Sequence, residues 1–245
     1  MPTVGVITAL REELAPLKAG GRLVKRAGGQ RFHRIRLGET PLILTAGGVG
    51  PRRAAAAIRN LLEAFEMEAV LGLGIAGALT PDLAAEDLLA ADEVRTPGGH
   101  SARCDPGLLA CARNCGFPVR TGTLMTTPGL VPDGERKHSL GLQPGVAAPA
   151  AVDQESTAWV QGAQSAGIPV LVVRCIFDTM NEDLPPFLSA AGRPGEDFDR
   201  ARLLRHVLTR PSTWPALLAT QRRMRHCALR MASFTHAFAA RVCTG

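Results

Sequence analysis

The run Pro169-Val170-Leu171-Val172-Val173-Arg174-Cys175-Ile176-Phe177-Asp178 constrains the fold more than any other stretch of the 245-residue chain. Its apolar, β-branched character over this length predicts a strand buried on both faces. Such a strand needs a layer of structure on either side. Two charges break the pattern: Arg174 within the run and Asp178 at its C-terminal end. In open α/β sheets, ligands bind beyond the carboxyl ends of the strands. Residues four apart project from one face of an extended strand, so Arg174 and Asp178 are expected on the same side. Two readings follow: a buried ion pair, or an active-site acid with a cation nearby.

The segments before it alternate between strand and helix. Thr3 to Thr8 reads as a short strand, and Ala9 to Leu17 as a helix with Thr8 as N-cap and Glu12 and Glu13 in its first turns. Arg31 to Leu37 alternates polar and apolar residues as an edge strand does, and Pro41 to Ala46 is a further strand. Ala46-Gly47-Gly48-Val49-Gly50 then leads into a helix running to about Glu66. A glycine-rich turn feeding a helix N-terminus lets an anion approach the backbone. Ala69 to Leu73 reads as a buried strand that ends in a second small-residue turn, Gly72 to Ala78. Asp87 to Val94 and Val119 to Thr126 read as strands, with a helix from Pro106 to Asn114 between them. Pro128 to Pro144 is rich in Gly, Pro and charge and reads as a loop or a broken helix, and irregular chain of that length is often a lid or other functional loop. Val146 to Val152 leads into Asp153-Gln154-Glu155 and a helix to about Ala166. This alternation predicts an α/β fold, a mostly parallel central sheet with helices on both faces.

Composition sets the boundaries of that fold. Hydrophobic residues make up 46% of the chain, enough for one large core. The net charge of +6 is unevenly placed. Residues 1–192 carry 18 basic and 19 acidic side chains, whereas 193–245 carry 10 arginines and 3 acids. The expected organisation is therefore an α/β domain over 1–192 with a basic helical extension, 193–245, packed on the same domain. No apolar stretch reaches the roughly 18 residues of a membrane-spanning helix. The first 13 residues lack the basic start and small-residue cleavage site of a signal peptide, so a cytoplasmic location is expected. The six cysteines form no CxxC pair, and the spacing of His100, Cys104, Cys111 and Cys115 fits no common zinc pattern. Reduced thiols, no metal and no cofactor are expected.

Four pieces then fall in order: Val4-Gly5-Val6-Ile7-Thr8-Ala9-Leu10-Arg11-Glu12-Glu13-Leu14, Gly74-Ile75-Ala76-Gly77-Ala78-Leu79, Val152-Asp153-Gln154-Glu155, and Val173 to Asp178. Together they resemble the nucleoside phosphorylase superfamily, most closely its branch of methylthioadenosine and S-adenosylhomocysteine nucleosidases. The resemblance implies hydrolysis of the N-glycosidic bond of an adenosine-type nucleoside. It implies Glu13 as the acid acting on the attacking water and Asp178 as the proton donor to purine N7, with Arg174 beside the nucleophile. Glu155 would hold the ribose hydroxyls, with Gln154 and Phe177 beside it in the substrate pocket. Ile75, Ala76 and Gly77 would line the sugar and nucleophile pocket. The chemistry calls for such groups on its own account. A departing purine anion needs a general acid, water needs an opposing carboxylate, and a diol is held by a third.

The chain departs from the family pattern at several of these positions. Ile75 replaces a Ser or Thr, Phe177 a Ser, and Gln154 a Met. Gly72 stands where an arginine grips phosphate in the bacterial purine phosphorylases, which favours water as nucleophile. Arg52 and Arg53 leave phosphate open as an alternative. Glu182-Asp183-Leu184-Pro185-Pro186, Gly192-Arg193-Pro194-Gly195, Arg210-Pro211 and Trp214-Pro215 resemble the hopanoid-associated branch, which implies adenosylhopane as substrate. The alternatives are a phosphorylase, a nucleosidase acting on a small nucleoside, and a non-catalytic nucleoside- or lipid-binding protein.

Leu217, Met224, Met231 and Phe238 recur every seven residues along a helix expected from Pro215 to Val242. This stripe reads either as core contact or as an amphipathic surface for a membrane or a greasy substrate. No aromatic interleaving or motif indicates nucleic acid. The expected partners are a small or lipid-linked nucleoside, a second copy of the chain in a homo-oligomer, and a peripheral membrane contact through 193–245.

Overall fold

The computed structural model describes residues 3–191 and 209–242. Ten strands form one sheet: β1 (Val4–Thr8), β2 (Arg22–Ala27), β3 (Gln30–Leu37), β4 (Thr40–Ala46), β5 (Ala69–Ala78), β6 (Leu88–Arg95), β7 (Ser101–Arg103), β8 (Arg120–Thr126), β9 (Ala150–Asp153) and β10 (Val170–Asp178). The helices are α1 (Arg11–Leu14), α2 (Pro51–Ala64), α3 (Pro106–Arg113), α4 (Gly134–Gly141), α5 (Ser156–Ser165), α6 (Pro186–Ala191) and α7 (Trp214–Val242).

The α/β class expected from the sequence is present, and the sheet is mixed. Parallel pairing joins β4, β1, β5 and β10 on one side and β6, β8 and β9 on the other. Antiparallel pairing closes β9 onto β5 and β6 onto β10. Strands β5, β9, β8, β6 and β10 thus form a closed ring, from which β1, β4, β3 and β2 extend as an open wing.

Several elements differ from the sequence reading. The first helix is a single turn, because Pro16 offers no N–H to the carbonyl of Glu12. Thr8 does not cap it; its hydroxyl donates to the carbonyl of Leu10 at 2.8 Å. The edge of the wing is β2, and β3 lies inside it, paired on both sides. Most of β2 is exposed, so it carries no alternating pattern, and its Arg22, Lys25 and Arg26 discourage further pairing at the edge.

The stretch from Gly72 to Ala78 is the second half of a strand and makes no turn. Its small residues serve the neighbours. A Cβ at Gly72 would meet Trp159 at 2.8 Å, one at Gly77 would meet the Asp178 carboxylate at 2.9 Å, and one at Gly74 would collide with the Arg174 guanidinium. Glycines here are space for large side chains on α5 and β10.

Among the described residues one large apolar core fills the molecule, with a second, small cluster around Leu79, Met125, Val131, Ala150 and Val152. Strand β10 is buried along its whole length, as its sequence predicts. On α7, Cys227, Met231, Phe234 and Phe238 recur at alternating steps of three and four and join the same core. Phe234 stacks on Phe238 with ring centroids 5.5 Å apart. Burying each such side chain contributes on the order of 2 kcal/mol. The inner face of α7 is therefore core. Met224 and Leu217, nearer its start, are only half-buried. Among the described residues, no helix is long and apolar enough to cross a membrane. The stretch Gly192-Arg193-Pro194-Gly195 lies outside the described residues, so of the 193–245 extension the structure describes 209–242.

Candidate active site

Strand β5 pairs with β1 only as far as Gly72 and gains β9 at Gly77. Between these points its edge is open, next to the carboxyl ends of β1, β4 and β10. A cavity of about 1040 Å³, its open mouth included, occupies that gap. Glu13, Ile75, Ala76, Gly77, Gln154, Glu155, Phe177 and Asp178 all line it. The tertiary structure thus gathers these residues from β5, the junction after β9, β10 and the first helical turn. Leu130, Val131, Leu184, Leu188 and Met224 add an apolar wall.

Glu13 is buried at 1% exposure. Its Oε2 accepts from the Leu10 amide at 2.8 Å, and its Oε1 accepts from the Ile75 amide at 3.2 Å. Burial raises its pKa to about 7, against the lowering effect of the Leu10 amide and of Arg174. The contact at position 75 is made by the main chain, so an isoleucine there holds Glu13 as well as a serine would.

Glu155 lies where β9 passes into α5. Its Oε1 accepts from the Gly50 amide at 2.9 Å. Burial raises its pKa to about 7; Arg174 and the Gly50 amide oppose the rise, and Asp153 and Glu13 add to it. The amides of Gly47 and Gly48 are bonded to the carbonyls of Thr8 and Ala9, at 2.8 and 2.9 Å. The glycine-rich turn expected to receive an anion has spent these three amides, one of them on Glu155.

Arg174 does not line the cavity. It is fully buried behind it, ion-paired with Asp153 and 3.5 Å from Glu155 Oε2. It also donates to Ser156 Oγ at 2.9 Å and stacks 4.7 Å from the Trp159 ring. Its influence on the cavity is electrostatic, through Glu13 and Glu155. Of the two readings of Arg174 and Asp178, the ion pair between them is absent; the register shifts between Ile176 and Asp178 and sets Asp178 opposite Gly77.

Asp178 is ion-paired with Lys137 of α4, which is itself fully buried. Burial raises the Asp178 pKa; Lys137 and Arg223 oppose the rise and Glu182 adds to it. The Phe177 carbonyl accepts from Arg223 of α7 at 3.0 Å, and that guanidinium lies 5.7 Å from the Phe177 ring.

Sequence reasoning missed Lys137, Asp153 and Ser156. Asp153 and Ser156 stand beside Glu155, and their place under Arg174 depends on how β9 and β10 lie in the ring. Lys137 had one signal: the chain has 25 arginines and only three lysines, at 18, 25 and 137. Rarity alone did not single it out, because Lys18 and Lys25 are exposed and only Lys137 is buried. Among the described residues, no group of three or more His, Cys, Asp and Glu is placed to hold a metal ion.

A family model described as the phosphorylase superfamily matches residues 3–198. The chain is 29% identical over 220 residues to a 5′-methylthioadenosine/S-adenosylhomocysteine nucleosidase of Aeromonas salmonicida, covering 78% of this chain and 94% of that protein. Its fold is similar to that of a nucleosidase of the same description from Colwellia psychrerythraea, solved with adenine: TM-score 0.74 at 18% identity, covering 98% of this chain and 95% of that one. It is also similar to futalosine hydrolase of Helicobacter pylori, with TM-score 0.71 at 19% identity, covering 96% and 97% of the two chains. At these identities the two structures speak for the fold alone.

Proposed function

Because the chain belongs to the phosphorylase superfamily, we propose that it hydrolyses the N-glycosidic bond of an adenosine-type nucleoside and releases adenine. The observation that carries this reading is the convergence of Glu13, Glu155 and Asp178 on one cavity, each with its pKa raised by burial. In this mechanism the C1′–N9 bond breaks and its electron pair goes to the purine. Asp178 gives its proton to N7 and so neutralises the leaving base. Water adds to C1′ from the opposite side and loses a proton to Glu13. Glu155 accepts hydrogen bonds from the ribose hydroxyls and holds the ring in place. Arg174 serves from behind, keeping Glu13 and Glu155 in place and partly charged.

Water is favoured over phosphate as the nucleophile. A phosphate needs several donors, and the Gly47, Gly48 and Gly50 amides are already bonded. The apolar wall of Leu130, Val131, Leu184, Leu188 and Met224 favours a nucleoside with a large apolar 5′ group, and adenosylhopane is the proposed substrate. The outer face of α7 exposes Trp214, Leu218 and Leu229 beside the exposed Arg222 and Arg225, which supports a peripheral contact with an anionic membrane. A homo-oligomer belongs to the same proposal.

The deciding experiment incubates the protein with adenosylhopane, methylthioadenosine and S-adenosylhomocysteine, with and without phosphate, and measures free adenine. The expected result is phosphate-independent release, fastest from the lipid-linked nucleoside. Phosphate-dependent release would mean a phosphorylase, and no release from any of the three would sink the hydrolase reading.

A further inference from the structure

Lys137 reaches Asp178 from outside the set of acids that the hydrolysis uses. It sits on α4, within the Gly- and Pro-rich segment whose Gly129, Leu130 and Val131 line the cavity. Its ammonium group is fully buried. An ammonium carries three N–H donors, and a buried one is costly unless all are satisfied. Two of them are donated to the Thr179 carbonyl at 2.9 Å and the Glu182 carbonyl at 2.5 Å, and the ammonium is ion-paired with the Asp178 carboxylate.

The two carbonyls belong to the main chain just after Asp178, so they fix the nitrogen relative to β10. Neither needs a full charge; a neutral amide would serve them. The charge answers Asp178. The other charged groups that face this carboxyl are Glu182 and Arg223. Arg223 is bonded to Glu182 Oε1 at 2.5 Å, so these two largely compensate each other and Lys137 is the near cation. The neighbouring Phe177 offers Asp178 no polar side chain.

We propose that Lys137 is a positioning residue for Asp178, aiming its carboxyl into the cavity and setting the pH above which it can no longer donate a proton. The proposal rests on the hydrolase reading. It distinguishes Lys137 from a staple that merely fastens α4 to the loop after β10.

The test compares wild type, K137M and K137R across pH on whichever adenine nucleoside the wild type cleaves. Acid catalysis by Asp178 is lost as pH rises through its pKa. Removing the cation leaves the carboxyl protonated to higher pH. In K137M the alkaline limb of kcat is therefore expected to move up by about one pH unit or more. Below that limb kcat should fall by about tenfold or more while KM stays within about twofold. K137R, which keeps a charge, should keep the limb near its wild-type position. A folded K137M with an unmoved limb, or a loss confined to KM, overturns the proposal. A second measurement needs neither turnover nor K137M: the 13C carboxyl titration of Asp178, assigned with D178N, in wild type and K137Q. An upward shift in K137Q supports the proposal and an unchanged titration overturns it. If wild type releases no adenine, the hydrolase reading fails and this titration still decides whether Lys137 governs Asp178.

Discussion

Glu13 and Asp178 are both pushed up by burial, yet hydrolysis needs them in opposite states. In the proposed mechanism Glu13 works ionised and Asp178 protonated, so the rate should be bell-shaped in pH. The acid limb should lie near the Glu13 pKa of about 7, with activity falling below it. Glu155, whose pKa the Glu13 charge also raises, titrates in the same range, so that limb carries both groups. Asp178→Asn keeps the shape of the side chain and removes the proton. It should abolish adenine release and lower Tm, because it leaves the buried Lys137 ammonium without its counter-charge; substantial turnover in the folded variant would remove Asp178 from its role. Glu13→Gln carries a stability effect as well. The folded pKa of about 7 lies above the ordinary value of 4.5, so the folded state binds more protons. The stability present below pH 4.5 is lost as pH rises to about 7, a loss on the order of 3 kcal/mol. Glu13→Gln escapes that loss and should melt above wild type at about pH 8, the gap closing toward about pH 5. Thermal melts at both pH values check this.

At the scale of elements, β5 and α7 do the most to shape the site. Gly74 leaves the space that the Arg174 guanidinium fills. Gly74→Ala should displace Arg174, cost about 1–3 kcal/mol by overpacking, and release Glu13 and Glu155 from their cation. Denaturant melts and kcat measured together would show both losses; a fully active, fully stable Gly74→Ala would contradict the packing argument. Helix α7 has two duties on two stretches. Met231, Phe234 and Phe238 hold it in the core, while Thr220 and Met224 line the cavity. Deleting the helix should therefore unfold the protein, and point changes at the wall are the sharper probe. Met224→Gln should lower kcat/KM for a lipid-linked nucleoside by about tenfold and leave methylthioadenosine within about threefold. Equal losses on both would mean that this wall does not contact the 5′ group.

For the whole molecule, the ring of β5, β9, β8, β6 and β10 places the cavity at one end, with the early part of α7 beside its mouth. The proposed membrane contact belongs to this scale, because it needs the outer face of α7 and the cavity to serve one substrate. Cosedimentation with phosphatidylglycerol vesicles should exceed that with phosphatidylcholine vesicles and fall in Leu218→Ser with Arg222→Gln. Equal binding to both vesicle types would leave the exposed face without a lipid role.

The sequence by itself determined the element types along most of the chain and the burial of β10, and it singled out the three acids of the proposed hydrolysis. Those follow from local pattern: β-branched runs, helix periodicity and short motifs act within a few residues. It misjudged the Gly72 to Ala78 segment, because local propensity reads glycine as a turn whereas this strand needs glycine for side chains from α5 and β10. Only the tertiary structure decided which charges meet. Arg174 has Asp153 and Glu155, 21 and 19 residues away, and Asp178 has Lys137, 41 residues away. Such pairings depend on ring closure and on a one-residue shift in β10. Long-range geometry of that kind leaves no periodic trace in the chain, yet it decides that Asp178 meets Lys137 at the cavity while Arg174 meets Asp153 behind it.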